Sequence, residues 1–128
     1  MTDFTPFEDL LAGHAGLLED STHDRWVRAQ ALFEERAYRE AIVLLRQLID
    51  EPEGFGHALT EAQLLLARSY YHSALLDPAI EAARDVLASD PHEPYAHLLI
   101  GRSLQRQSRP VEAAPHLRLA QLLGGYAA

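Results

Sequence analysis

Seven histidines are the side chains best placed to do chemistry: His14, His23, His57, His72, His92, His97 and His116. A metal site of the commonest helical kind needs two of them at i, i+4 on one face, or help from Cys. No two stand four apart, no His-Glu-x-x-His run occurs, and the chain has no Cys. His92 and His97 straddle an expected helix start, a spacing too weak to hold an ion. All seven are read as surface or half-buried residues, and neither metal nor cofactor is expected. Nucleophilic catalysis has one candidate. Gly101-Arg102-Ser103-Leu104-Gln105 begins like a hydrolase nucleophile elbow but lacks its final Gly, and no strand precedes it. Nothing else groups a nucleophile with a base, so no catalytic residue and no enzyme activity are expected.

The elements that position these side chains come as a repeat. From Thr60 to Glu93 the chain reads as a helix, a short turn, a second helix and a turn closed by Pro. Gln63, Leu66, Ala67 and Tyr70 fall on one face of the first helix, at i, i+3, i+4 and i+7. Thr60 is the expected cap of that helix, with Gln63 completing a capping box. Asp77-Pro78 is the expected start of the second helix, whose apolar stripe is Ile80, Ala83, Val86 and Leu87. Asp90-Pro91 ends it, because Pro cannot donate to a continuing helix and disfavours helix in the residue before it. The same skeleton recurs after a shift of 34 residues, and before it after a shift of 38. Two amphipathic helices cannot bury their apolar faces alone, and stacked repeats can.

The recurring slots carry a resemblance. Ala67 and Gly101, Leu66 and Ile100, Tyr70 and Leu104, Ala79 and Ala113, and Val86 and Ala120 match at a spacing of 34. Ala29, Leu32, Ala41, Leu45 and Leu48 supply the corresponding positions of an earlier unit. This pattern resembles the tetratricopeptide repeat (TPR), a helix-turn-helix unit of 34 residues, over about residues 22–127. The departures are Arg25, Gln63 and His97 in the usual Trp slot, with Trp26 one residue late, and Gly124-Gly125 where Pro is usual. The resemblance implies an all-α, right-handed α-solenoid. Its expected organisation is an acidic amphipathic N-terminal helix (1–21), a first repeat with a four-residue insertion (22–59), a second (60–93), and a third with the C-terminal end (94–128).

Bulk composition narrows the partners. The formal charge is −8 and all 11 basic residues are Arg. An acidic chain argues against nucleic acid, which demands a basic footprint, and against an anionic membrane surface. No apolar run approaches 18 residues and no signal region opens the chain, so a cytoplasmic location is expected. The absence of Lys and Asn is read as the coding bias of a GC-rich bacterial genome. Residues 1–20 hold Asp3, Glu8, Asp9, Glu19 and Asp20 and no basic residue. Thr5-Pro6-Phe7-Glu8 is a helix start there, followed by Leu10, Leu11, Leu17 and Leu18 at helical spacing. This segment is read as a helix packed on the first repeat or, alternatively, as a mobile peptide that docks in a groove in cis or on a neighbour, or as a disordered tail. Ser21 is the expected cap of the next helix, which is expected to end near Glu35, and its partner runs from Tyr38 to Asp50. Phe55, between Gly54 and Gly56, is read as a plug over the core edge. Pro115 is expected to kink the last helix.

In TPR proteins the first helices of successive units line a concave groove. The lining slots in this chain imply a peptide-binding set of Trp26, Gln30, Phe33, Leu64, Arg68, Tyr71, His72, Tyr95, Leu98, Arg102 and Arg106. Apolar pockets with Arg forks suit a peptide or helix bearing apolar anchors and carboxylates. One TPR subset grips chaperone tails with a clamp of Lys, Asn and Arg. The clamp slots here hold Trp26, Gln30, Leu65, Tyr95 and Leu99, which excludes that partner class. The expected function is a non-catalytic protein–protein interaction adaptor or scaffold. The alternative is self-assembly, with Leu119, Leu122, Leu123 and Tyr126 as homodimer contacts at an uncapped C-terminal end, or exchange of the N-terminal helix.

Overall fold

A computed structural model describes residues 21–51 and 56–127. The expected N-terminal helix and the Phe55 plug lie outside the described residues. Among the described residues six α-helices follow one another: α1 Ser21–Glu34, α2 Tyr38–Ile49, α3 Leu59–His72, α4 Leu76–Ser89, α5 Pro94–Arg106 and α6 Pro110–Gly124, with a 3₁₀ turn at Gly56–Ala58 before α3. There is no strand among the described residues, and the architecture is an all-α helical-repeat solenoid. Each helix packs on the next, while α1 also meets α3 and α3 also meets α5. The second helices of the three hairpins, α2, α4 and α6, make no close backbone approach to one another. The crowded row α1–α3–α5 is therefore the inner, concave side, and the splayed row is the outer one.

The three hairpin turns share one device. Arg36, Ala74 and Ser108 adopt left-handed backbone, with φ of 65°, 60° and 62°. The residue after each donates its N–H back to the last turn of the helix: Ala37 to Leu32 O at 2.8 Å, Leu75 to Tyr70 O at 2.9 Å, and Arg109 to Leu104 O at 2.9 Å. The left-handed residue itself donates to Phe33, Tyr71 or Gln105 O at 2.9–3.0 Å. These are Schellman caps, which satisfy carbonyls a helix end leaves open. The second of these caps also corrects an expected N-cap. Leu75, which closes the α3 cap, is the N-cap of α4, so Asp77 lies inside the first turn. Its carboxylate accepts from Gln107 Nε2 at 2.7 Å instead, joining the start of α4 to the α5–α6 turn. Likewise α3 starts at Leu59 behind Ala58, with no side-chain cap, and Thr60 is already helical. Among the described N-caps, that of α5 alone bonds through its side chain: Glu93 accepts from the Tyr95 N–H at 2.8 Å, ahead of Pro94 in the first turn.

The apolar stripes meet in two clusters. Ala29, Leu32, Phe33, Ala41, Leu45, Ala62 and Leu65 form one. Ala67, Ile80, Ala83, Val86, Ile100, Leu104, Ala113, Leu117 and Ala120 belong to the other, and Leu66 packs against both. Small residues set the approach of the helices: a Cβ built on Gly101 would lie 2.5 Å from Leu117 Cδ2. At the start of α1, Arg25 forms an ion pair with Glu51, which also accepts from Thr22 Oγ1 at 3.4 Å. α6 runs unbroken through Pro115, which lies on its exposed face.

His97, in the usual Trp slot, is buried and its Nε2 lies 2.9 Å from Pro91 O. A carbonyl only accepts, so Nε2 carries the proton and Nδ1 is free to accept. His116 Nδ1, 3.1 Å away, donates to it. This arrangement tolerates one charge on the pair but not two, since two charged rings would point Nδ1–H at Nδ1–H. Burial, His97 and Arg84 hold the His116 pKa below its usual value.

Candidate peptide-binding groove

The inner row of helices brings residues from three hairpins to one cleft of about 320 Å³. α1 contributes Trp26, Gln30, Phe33 and Glu34, α3 contributes Glu61, Leu64, Leu65 and Arg68, and α5 contributes Tyr95. The positions on α1 and α3 recur at three- and four-residue steps, so one face of each helix looks into the same space. Six of the expected groove residues therefore come together: Trp26, Gln30, Phe33, Leu64, Arg68 and Tyr95.

Arg68 stands at the centre of this site. Its guanidinium carbon lies 4.5 Å from the Phe33 ring centre and 5.5 Å from that of Tyr95. The ring faces attract the cation, by about 0.5–1 kcal/mol at exposed sites and more when desolvated. Arg68 Nε is enclosed and has no hydrogen-bond partner among the described residues. An enclosed, unpaired donor on a charged group costs free energy and is the place where a ligand oxygen gains most. Glu34 and Glu61 share the cleft, so it is bipolar rather than uniformly basic.

The other expected groove residues separate. Tyr71 and His72 lie in the last turn of α3, beyond the cleft lining. His72 stacks on Tyr38 (ring centres 5.1 Å apart, planes at 17°) and meets the edges of Phe33 and Tyr71, each 5.7 Å away. Arg106 reaches across from α5, with its guanidinium 4.9 Å from the Tyr71 ring and Nη1 donating to Tyr71 O at 3.2 Å. Leu98 is a correction: it is buried in the core and does not line the cleft. Arg102 is exposed and takes no part in the cleft. Tyr126, placed by the sequence among dimer contacts, is half-buried in its own chain against Tyr95, at 5.8 Å between ring centres. The sequence reading missed Arg36 and Tyr38. Arg36 lies in the α1–α2 turn and Tyr38 opens α2, places that a search by first-helix slot does not visit.

His72 has its pKa held below the usual histidine range by partial burial, then by Arg68, Arg106 and Arg36. One ring face lies on Tyr38 while the residue stays exposed to solvent. Partial desolvation and three guanidiniums act in the same direction, each opposing a further positive charge.

Paired helices around a lined concave face define a helical-repeat scaffold. Residues 32–103 match the tetratricopeptide repeat family, and the chain belongs to it. A solved structure of a MamA mutant shares the fold with a TM-score of 0.73 and 21% sequence identity, over 88% of this chain and 60% of that one. The chain thus spans about 60% of the length of that solved chain. No curated protein matches this chain in sequence. Among the described residues no helix is long and apolar enough to cross a membrane.

Proposed function

We propose that this protein is a non-catalytic adaptor that holds a peptide or short helix of a partner protein in the concave cleft. An apolar side chain of the ligand fits between Trp26, Phe33, Leu64, Leu65 and Tyr95, and a neighbouring carboxylate meets Arg68. The observation that carries this reading is Arg68 itself, laid on two aromatic rings with an enclosed donor unpaired. The cleft volume, about 320 Å³, suits one or two anchoring side chains rather than a folded domain. Arg106 extends the positive charge along the groove. The three hairpins support dividing the repeats at 22–59, 60–93 and 94–128, and the composition supports a bacterial, cytoplasmic setting.

The test is binding of an array of short peptides that pair an aromatic or aliphatic anchor with Asp or Glu, followed by Trp26 fluorescence. Arg68→Gln should abolish binding, because truncating one member of a desolvated charge pair costs about 2–5 kcal/mol. Arg102→Gln should leave it intact. Equal effects of the two substitutions would sink the cleft assignment.

A second reading is self-assembly. Leu119, Leu122 and Leu123 are 38%, 73% and 41% exposed near the end of α6, an apolar patch that a second copy would cover. A molecular mass that stays monomeric in light scattering from micromolar to millimolar concentration removes this reading.

A further inference from the structure

Two arginines of this acidic chain are held in ion pairs. Arg25 is paired with Glu51, and Arg109 with Glu112 at 2.7 Å. Arg36, Arg68 and Arg106, like Arg28, Arg39, Arg46, Arg84, Arg102 and Arg118, form no ion pair among the described residues; what sets the three apart is their place around His72. Arg106 bonds a backbone carbonyl and covers Tyr71, and Arg68 covers Phe33 and Tyr95. These two guanidiniums come from α5 and α3, and two of the three rings they cover, Phe33 and Tyr71, meet His72, each at 5.7 Å between ring centres. Arg36 comes from the α1–α2 turn and lines, with Tyr38, Arg39, Glu40 and Ser73, a second cleft of about 350 Å³, one wall of which, Tyr38, stacks on His72. Three unpaired cations from three elements thus gather round one exposed imidazole at the edge of the groove. The groups set against that imidazole are Arg36 from the turn, Tyr38 from α2, Arg68 and Tyr71 from α3, and Arg106 from α5. Glu40 is the one carboxylate on the second cleft. The charges that act on His72 are all guanidiniums.

Left empty, such a cluster is self-repelling. A single carboxylate satisfies one fork, and three forks exceed what it can use. The complementary group carries two negative charges and several acceptor oxygens. We propose that Arg36, Arg68, Arg106 and His72 form a rim that takes a doubly negative oxyanion carried by the bound peptide, either a phosphorylated side chain or two adjacent carboxylates, and that His72 gains a proton as it binds. This rests on the groove reading for the peptide but not for the rim chemistry. The sign follows from linkage. Without the anion, the three cations oppose a charge on His72. With it, the field at the ring reverses, and the protonated imidazole becomes a fourth donor. Binding therefore takes up a proton, and affinity rises as pH falls through the histidine range.

The test is a pH titration of the His72 imidazole by NMR, assigned with His72→Gln. It is run in sodium chloride, sodium sulfate and sodium succinate at one ionic strength, because salt alone screens the arginines. Sulfate stands for the phosphate group without titrating itself, and succinate stands for paired carboxylates. Sulfate should raise the His72 midpoint by about one pH unit over chloride. Its affinity should then be up to about tenfold greater at pH 5.5 than at pH 7.5. The Arg36→Gln/Arg106→Gln double variant, changed only at exposed positions, should abolish the rise. A rise with succinate alone assigns the ligand to paired carboxylates. Equal midpoints in all three salts, or a rise that survives in the double variant, overturn the rim. Failure of the peptide array leaves this titration untouched, and a flat titration leaves the Arg68 cleft standing, so the two proposals fail separately.

Discussion

Substituting Gly101 by Ala tests how closely α5 and α6 must approach. Gly101 sits in the middle of α5, where Ala is ordinarily better by about 1 kcal/mol. The structure predicts the opposite sign. A Cβ at Gly101 would meet Leu117 Cδ2 at 2.5 Å, Cγ at 2.6 Å and the backbone N at 3.3 Å. Carbon atoms in favourable contact sit about 3.5–4.0 Å apart, so Leu117 must move by roughly 1 Å. Leu117 is buried among Ile100, Leu104, Ala113 and Ala120, and overpacking of such a site costs about 1–3 kcal/mol. The first hairpin places Ala29 and Leu45 at the same offsets, both fully buried. Some relaxation is therefore open to the fold, and the net loss should be about 1 kcal/mol, or about 4 °C in Tm. Urea denaturation followed by circular dichroism at 222 nm measures it. The double variant Gly101→Ala/Leu117→Ala supplies the control. Leu117→Ala alone leaves a cavity costing about 2–5 kcal/mol, and a methyl group at residue 101 refills part of it. The double variant should thus be more stable than Leu117→Ala, with a coupling of at least about 1 kcal/mol. A stabilised Gly101→Ala protein, or two effects that simply add, would refute the close-approach argument.

Ala74→Gly should raise stability by about 0.5–1 kcal/mol in the same denaturation assay. Left-handed backbone costs an L-residue about 1–2 kcal/mol, against a smaller entropic cost for Gly in the unfolded chain. An unchanged midpoint would mean the turn is not held as described. Ser103 and Ser69 occupy the same slot 34 residues apart and are both fully buried. Ser69 Oγ donates to Leu65 O at 2.8 Å, whereas Ser103 Oγ has no partner among the described residues. Ser103→Ala should therefore stabilise by about 1 kcal/mol and Ser69→Ala should not, a difference read as two Tm values. His116 and His72 both have folded pKa values below the unfolded one of about 6.5. The unfolded chain then binds more protons, so their contribution is intact above about pH 6.5 and is lost as pH falls through the lowered folded values. Tm should drop on acidification from pH 7.5 to 5.5. His116→Asn, which keeps a donor for His97 but cannot titrate, should shrink that drop; an unchanged pH profile counts against the imidazole pair. Finally, Arg68→Met should leave Tm equal or higher while peptide binding falls, and a large loss of Tm would make Arg68 a structural residue.

The repeat was legible because its helices are written in periodic apolar slots. Ala67, Ile80, Ala83 and Val86 are buried where their spacing put them, and the ends of α1 and α2 fall within one residue of Glu35 and Asp50. The caps were misread for a physical reason. A left-handed C-cap announces itself by Gly, and here Arg36, Ala74 and Ser108 hold that conformation. With the true end of α3 hidden, the polar residue Asp77 looked like the start of α4; Thr60 was misread because the residue that caps α3, Ala58, has no capping side chain. The His97–His116 contact joins residues 19 positions apart through tertiary packing, and no spacing rule reaches it.

The groove shows the same division between slot and environment. Trp26, Gln30 and Phe33 were legible as one face of α1. Which arginine enters the cleft was not, because Arg68 and Arg102 share a slot in the repeat and differ only in surroundings. Arg68 has Phe33 on one side and Tyr95 on the other. On α5 the ring of Tyr71 is covered by Arg106, one helical turn beyond the equivalent slot, and Arg102 stays in solvent. Packing does not require a cation between Phe33 and Tyr95: a Met or Leu would fill that space without enclosing an unpaired Nε. Buried charges are frequently replaced by apolar residues at no loss of stability. The fold alone therefore gives no reason for Arg68. A ligand oxyanion would supply one, since it would pair the donor that the folded chain leaves unsatisfied, in a cleft whose aromatic and aliphatic walls are joined by Gln30, Glu34 and Glu61.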